Sequence, residues 1–330
     1  MAAAAVVAAS LGGGAWVSAE GPPARRHTVQ ERGTLVLQPA VDRVTPARVR
    51  IELQDGMRVI QATGLPAHPI GRFPNRDNPH TAAAQRHRFS VPLVAERAAG
   101  PVRAQRAFFG VAVNGVPFEA ETAEVWQGDR RSGWHYDALG AGVPLGLDEN
   151  HAHVQPGGLY HYHAAPTLLA LALGWDGIGH SPLIGWAADG FPIYLAVGDR
   201  GEGPVAMQSG WRLKPGLRPG GAGQGRDEPG GAHDGTFVED YAYFGGQGTL
   251  DICNGAVTYP PDRPEGTYAY FITDTFPYVP RCWSGTPDRS FLKGHGGRHG
   301  PGAHARHRGP DGHPPPHRRQ RGGLPSWLRP

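Results

Sequence analysis

The sequence predicts a mainly β fold: an antiparallel sandwich or barrel-like domain with long Gly/Pro-rich loops and at most one or two short helices. Three observations carry that expectation. Glycine (50) and proline (33) make up about a quarter of the 330 residues, and both break helix interiors. The apolar residues, 39% of the chain, fall in short runs bounded by turn signals. Several of those runs alternate with period two, the pattern of a half-buried strand. No Gly-X-Y period is present, which excludes collagen. No 18-residue apolar stretch follows the N-terminus, so no internal membrane span is expected.

Residues 1–19 are small, apolar and uncharged, with Val17 and Ala19 at the −3 and −1 positions of a cleavage site before Glu20. They read as a secretory signal peptide, which places the mature chain outside the cytoplasm: periplasmic, cell-surface or secreted. Residues 20–57 form an N-terminal β segment, expected to be part of the main domain. Thr34–Leu37 and Val49–Leu53 alternate there, and Asp55-Gly56 is a hairpin turn signal. The main domain spans 58–286. Its strand-like runs include Met57–Ile60, Arg88–Val91 and Phe108–Val113, the last followed by the tight-turn pair Asn114-Gly115. One segment looks helical, Pro166–Leu173, with proline in the first turn and Gly174 as the stop. Residues 215–231 form a glycine-rich insertion, expected to be a mobile loop. Residues 287–330 carry six histidines among Arg, Gly and Pro and few aromatics, and are expected to be a disordered tail.

The net charge of +3 divides unevenly. The segment 287–330 has nine Lys/Arg against two acids, which leaves the first 286 residues near −4. A body of that sign has no basic stripe for phosphates, so nucleic acid is excluded as the main partner. The two cysteines, Cys253 and Cys282, are an even count in an exported chain and favour a disulfide over two buried thiols. Closing that loop stabilises by about 3 kcal/mol in the chain-entropy picture.

The densest chemistry lies between Leu147 and His163. His151 and His153 are two apart, as are His161 and His163. In a strand such residues share a face. A three-residue loop, Pro156-Gly157-Gly158, built as a type I turn closed by a left-handed glycine, pairs Gln155 with Leu159. His153 then faces His161, and His151 faces His163, with opposed Cβ atoms about 5 Å apart. A loop one residue shorter or longer turns the histidines toward the tyrosines. Neutral imidazoles suit zinc or copper, whereas calcium prefers oxygen. Asp148 is a candidate ligand or a support for one ring. The alternative is a histidine–tyrosine ladder bonded to backbone. Tyr160 and Tyr162 fall on the opposite face and are expected in the core.

These residues resemble the YHYH-domain family, through Tyr160-His161-Tyr162-His163 and several further stretches in order. Thr63–His68, Phe73-Pro74-Asn75, Asn78-Pro79 and Val113–Phe118 look like the family's earlier segments. Asn150–Pro156 and His180–Tyr194 look like those flanking the signature. Cys253-Asn254-Gly255, Phe276-Pro277-Tyr278, Cys282 and Gly285 close the pattern, so the likeness runs from about Val59 to Gly285. The resemblance implies an exported or surface-associated protein and no established activity. It carries over His68, His153, His161, His163, His180 and Asp189 as family-type polar positions. His151 departs from the pattern, as do Ala164, Leu195 and Ala269. The His151 departure favours His153, His161 and His163 plus a distant fourth ligand, with His180 or His68 the natural candidate.

His180-Ser181 with Asp189 invites a Ser-His-Asp reading, but adjacent Ser and His do not face each other and no nucleophile elbow is present. Asp189-Gly190 is also a turn signal. Two function classes follow. One is an exported protein holding zinc or copper through the histidine hairpin, an enzyme if the metal keeps an open position. The other is a non-enzymatic recognition or adhesion module whose groove takes a glycan, a peptide or a small molecule.

Overall fold

Asp55 and Gly56 both take positive φ, 51° and 74°, and form the turn that their sequence predicts. They join β1 (Val49–Gln54) to β2 (Met57–Ala62), and β3 (His87–Pro92) pairs antiparallel on the far side of β2. One face of β2 and β3 buries Ile60, Phe89 and Val91 against the core. The computed structural model describes residues 38–39, 47–222 and 228–293. The predicted signal peptide at 1–19 lies outside the described residues.

The central sheet has eight strands: β4 (Gly110–Ala112), β5 (Pro117–Phe118), β6 (Ala152–Val154), β7 (Tyr160–Tyr162), β8 (Gly185–Ala187), β9 (Pro192–Leu195), β10 (Gly255–Thr258) and β11 (Thr267–Ile272). Their spatial order is β10-β11-β9-β8-β4-β5-β7-β6, an open sheet and not a closed barrel. The fold is mainly β and sandwich-like, as predicted. The sheet is mixed: β5/β7 and β9/β11 run parallel, and its other pairs run antiparallel. The cause is connectivity. Within each hairpin a short turn fixes antiparallel direction, whereas the parallel pairs join strands separated by long connections. Every residue of β4, β6, β7, β8 and β9 is buried, so the sheet is covered on both faces. Tyr160, Tyr162, Phe118 and Tyr270 are fully buried in it.

The predicted helix is present as α1 (Thr167–Ala172), with Pro166 at its start and Gly174 at φ 81° after its end. Cys253 and Cys282 form a disulfide. It ties the turn before β10 to the strand Cys282–Gly285, which pairs with Arg97–Arg103. No helix among the described residues is long and apolar enough to cross a membrane.

Two boundary expectations change. The described ends of the 215–231 insertion are anchored, because buried Arg218 donates to both carboxylate oxygens of Asp240 (2.7 Å each) and to the Gly230 carbonyl (3.0 Å). The tail does not begin at Pro287. Asp288 caps a 3-10 turn (Arg289–Phe291), and Phe291, 1% exposed, stacks on Phe89 at 4.6 Å. Lys293 N then donates to the Arg106 carbonyl at 2.9 Å. Phe291 supplies the apolar surface that the rest of the tail lacks, so the fold continues to Lys293. The remainder, 294–330, lies outside the described residues.

His87 gives this core a pH dependence. Its ring stacks on Phe89 at 5.1 Å, its Nε2 is buried without a partner, and burial lowers its pKa to about 4. Above pH 6.5 the ring is neutral folded or unfolded and contributes nothing. Below 6.5 the unfolded chain takes up a proton that the folded chain refuses, so stability falls until pH nears 4. At pH 5 the loss is roughly 2 kcal/mol. A His87→Leu variant is expected to lose about that much less stability between pH 7.5 and pH 5 in urea titrations. Comparing the two chains cancels Asp137, whose carboxyl burial lifts to about 6 and whose contribution runs the opposite way. Parallel pH profiles would refute the assignment.

Candidate metal centre

The hairpin β6–β7 takes the register that brings the histidines together. His153 pairs with His161, Tyr160 with Val154 and Tyr162 with Ala152. Gln155 N donates to Leu159 O (2.8 Å) and Gly158 N to Gln155 O (3.0 Å), closing the three-residue loop. The turn differs in type from expectation. Gly157 has φ 91°, the value of the third residue of a type II turn, and Gly158 has φ 85°. Gly158 also packs so close to Ala83 that an added Cβ would stand 2.5 Å from the Ala83 methyl.

Three imidazoles converge. His161 Nε2 lies 2.9 Å from His163 Nε2, which lies 3.2 Å from His153 Nε2. All three residues are buried, and their ligand atoms lie within 4.8 Å of one another. The tautomers follow from the other ring nitrogens. His153 Nδ1 is 3.0 Å from the Leu145 carbonyl and His161 Nδ1 is 3.4 Å from the Leu159 carbonyl. A carbonyl oxygen only accepts, so these two contacts are hydrogen bonds when Nδ1 carries the hydrogen, the tautomer that leaves a lone pair on Nε2. Burial is the first cause that lowers the pKa of His153, to about 4, and holds His161 and His163 well below the usual range. The site therefore gathers neutral nitrogen donors.

The other predicted site residues stand elsewhere. His151 precedes β6 with φ 51°, and that left-handed backbone breaks the strand alternation. Its Nδ1 turns to the Ala165 carbonyl at 2.9 Å, although its own carbonyl accepts from His163 N as the predicted register requires. His68 bonds to the Tyr162 hydroxyl (2.6 Å), whose side chain leaves β7 on the face opposite the triad. His180 bonds to Thr258 Oγ1 (3.0 Å) and packs edge-on against Tyr194. Asp189 accepts from the Tyr270 hydroxyl and from Gly285 N (2.9 Å), buried at its turn. Ser181 Oγ accepts from Leu195 N at 2.7 Å, which accounts for it without a nucleophilic role.

Asp148 is a scaffold. Fully buried, it accepts from Gly71 N (3.0 Å), Asn150 N (2.9 Å), Ala152 N (3.3 Å) and the Tyr160 hydroxyl (2.7 Å). Burial raises its pKa and these donors oppose the rise. They fix the entry into β6 and hence the position of His153.

Glu119, Gln155 and Lys293 were not legible as site residues. Phe118 pairs with Tyr162, and Glu119 N donates to Tyr162 O (2.9 Å), so the Glu119 side chain falls on the triad's face. Its Oε2 lies 3.7 Å from His161 Nε2 and accepts from Gln155 Nε2 at 2.7 Å, while its Oε1 pairs with Lys293. Burial lowers the Lys293 ammonium to about 8. The alternation through β5 was one available signal for Glu119. Phe291, a lone aromatic in a tail-like stretch, was another for Lys293. The triad, Glu119 and Lys293 line a cavity of about 720 Å³.

A family model described as YHYH protein matches residues 88–285. The chain belongs to the YHYH family. No curated protein and no solved structure matches it. In this YHYH protein the two histidines of the signature are two of the three converging rings, and its two tyrosines are core residues. The alternation of a single strand thus splits the motif into a site half and a packing half.

Proposed function

We propose that this YHYH protein is exported and binds one transition-metal ion, zinc or copper, through Nε2 of His153, His161 and His163. One observation carries the reading: three neutral imidazoles converge inside a buried site, with the Nε2 atoms of His153 and His161 3.2 and 2.9 Å from His163 Nε2. Facing lone pairs repel unless a cation or a proton stands between them. Imidazole nitrogens on a tetrahedral zinc ion, with bonds of about 2.0–2.1 Å, stand about 3.4 Å apart. The two short separations, 2.9 and 3.2 Å, fall within about half an ångström of that. Three protein ligands beside a cavity leave a position for water or substrate, with Glu119 next to it, held by Gln155 and Lys293. The Leu145 and Leu159 carbonyls orient two of the rings, as the outer partners of metal-binding histidines do. The disulfide agrees with a location outside the cytoplasm.

Elemental analysis tests the reading on untagged protein ending at Lys293, which removes the six tail histidines as competing ligands. One zinc or copper per chain is expected, and none in a His161→Ala/His163→Ala variant. One observation favours a second reading: His163 Nδ1 is buried without a hydrogen-bond partner. There His163 keeps its hydrogen on Nε2 and shares it with His153 and His161. The cavity would then belong to a recognition module for a glycan or peptide. Metal-free protein whose thermal stability is indifferent to chelator would favour that module and overturn the metal site.

A further inference from the structure

Among the described residues no strand pairs with the outer edge of the β1-β2-β3 sheet, and that edge is a self-complementary strand. Gln54 and Met57 flank a two-residue turn and therefore exchange backbone bonds, and the same holds every second residue, for Glu52 with Val59 and Arg50 with Gln61. Thr63 N donating to Arg48 O (3.0 Å) continues the series. The N–H and C=O groups of Val49, Ile51 and Leu53 consequently point outward from the edge. The side chains of these three residues share a face with Ile60 and Ala62, both buried, so β1 carries the core face past the limit of the core. They are 40%, 39% and 69% exposed. Arg50, exposed, and Glu52, half-buried, occupy the other face and pair with each other at 2.5 Å.

We propose that β1 is a dimerisation edge that pairs antiparallel with β1 of a second copy, with Ile51 on the two-fold axis. The order Val-Arg-Ile-Glu-Leu reads apolar, positive, apolar, negative, apolar in one direction, and reversal exchanges the two charges. Antiparallel pairing about Ile51 sets Val49 against Leu53 of the second copy and Arg50 against Glu52 of the second copy, twice over. All the outward backbone groups of Val49, Ile51 and Leu53 then find partners. Shifting by one residue sets outward groups against inward ones and loses the ladder. Centring on Arg50 or on Glu52 opposes like charges at the axis. Charge complementarity thus selects both the occupant and the register. An exposed apolar edge without a bulge or an interior proline is also one that proteins ordinarily cover.

Sedimentation of the full chain, in chelator to exclude bridging through the tail histidines, tests the proposal. A concentration-dependent dimer is expected at micromolar protein. Arg50→Glu and Glu52→Arg each oppose like charges twice and should raise the dissociation constant at least about tenfold. The double exchange restores opposite pairs and should recover wild-type dimerisation. Ile51→Pro removes an outward N–H, leaves the β1–β2 ladder intact and should abolish the dimer. A wild-type chain that stays monomeric overturns the proposal. If deleting residues 20–46 turns such a monomer into a dimer, the edge's occupant is a segment of the same chain, which also refutes it. A dimer that ignores the single reversals, or a double exchange that fails to recover, refutes the register.

Discussion

Replacing Asp148 by alanine is expected to destabilise the chain by about 5 kcal/mol, enough to unfold a domain of ordinary stability near physiological temperature. The carboxylate is fully buried and satisfies four donors: three backbone N–H groups and the Tyr160 hydroxyl. Leaving a buried donor unpaired costs about 1–3 kcal/mol. Asn is the informative comparison. Its amide oxygen keeps the bonds from Asn150 and Ala152, and Tyr160 can rotate to accept from the amide nitrogen. Only Gly71 N–H then faces another donor, so the cost should fall to about 2 kcal/mol. Urea unfolding of both variants measures this. Equal effects, or an alanine cost below about 1 kcal/mol, would remove Asp148 from its scaffold role. Because Asp148 holds the turn that enters β6, the alanine variant should also fail to retain metal.

The hairpin of the site was legible because its determinants are local. Pro156-Gly157-Gly158 fixes a three-residue loop, and parity along the strand does the rest, so His153, His161 and His163 converge as predicted. Parity also placed Tyr160 and Tyr162 in the core. It failed at His151, where a positive φ before the strand turns the ring away, and neither composition nor spacing signals that angle. The expected distant fourth histidine failed for another reason. His68 and His180 are buried or half-buried polar residues with their own partners, Tyr162 and Thr258. Glu119, which does stand beside His161, arrives through the parallel pair Tyr162–Phe118. Pairing between distant hairpins depends on how whole units pack, and no turn residue encodes it. The same non-local step hid Lys293. Its stretch reads as tail until Phe291 is seen stacked on Phe89, and for that reason truncation at Gly285 would remove part of the site.

Loading the triad with zinc or copper should stabilise the tail-less chain by about 4 kcal/mol at a free metal concentration a thousandfold above the dissociation constant. For a domain of this size that is a rise in Tm of about 10 °C. The unfolded chain offers scattered imidazoles with no common centre, so nearly all of the binding free energy appears as stability of the fold. The His161→Ala/His163→Ala variant should show no such rise. It also separates the two readings of the cluster. If the rings are a metal site, the chelated wild type brings together neutral nitrogens that lack a cation, and removing two of them costs little beyond the lost packing volume. If the rings are a hydrogen-bonded ladder, the same substitution breaks buried bonds and costs several kcal/mol whether or not metal is present. Differential scanning of both chains, with chelator and with metal, reads out all four states. A wild-type Tm that does not move between chelator and metal, together with a large loss in the variant, would leave the ladder as the role of these histidines.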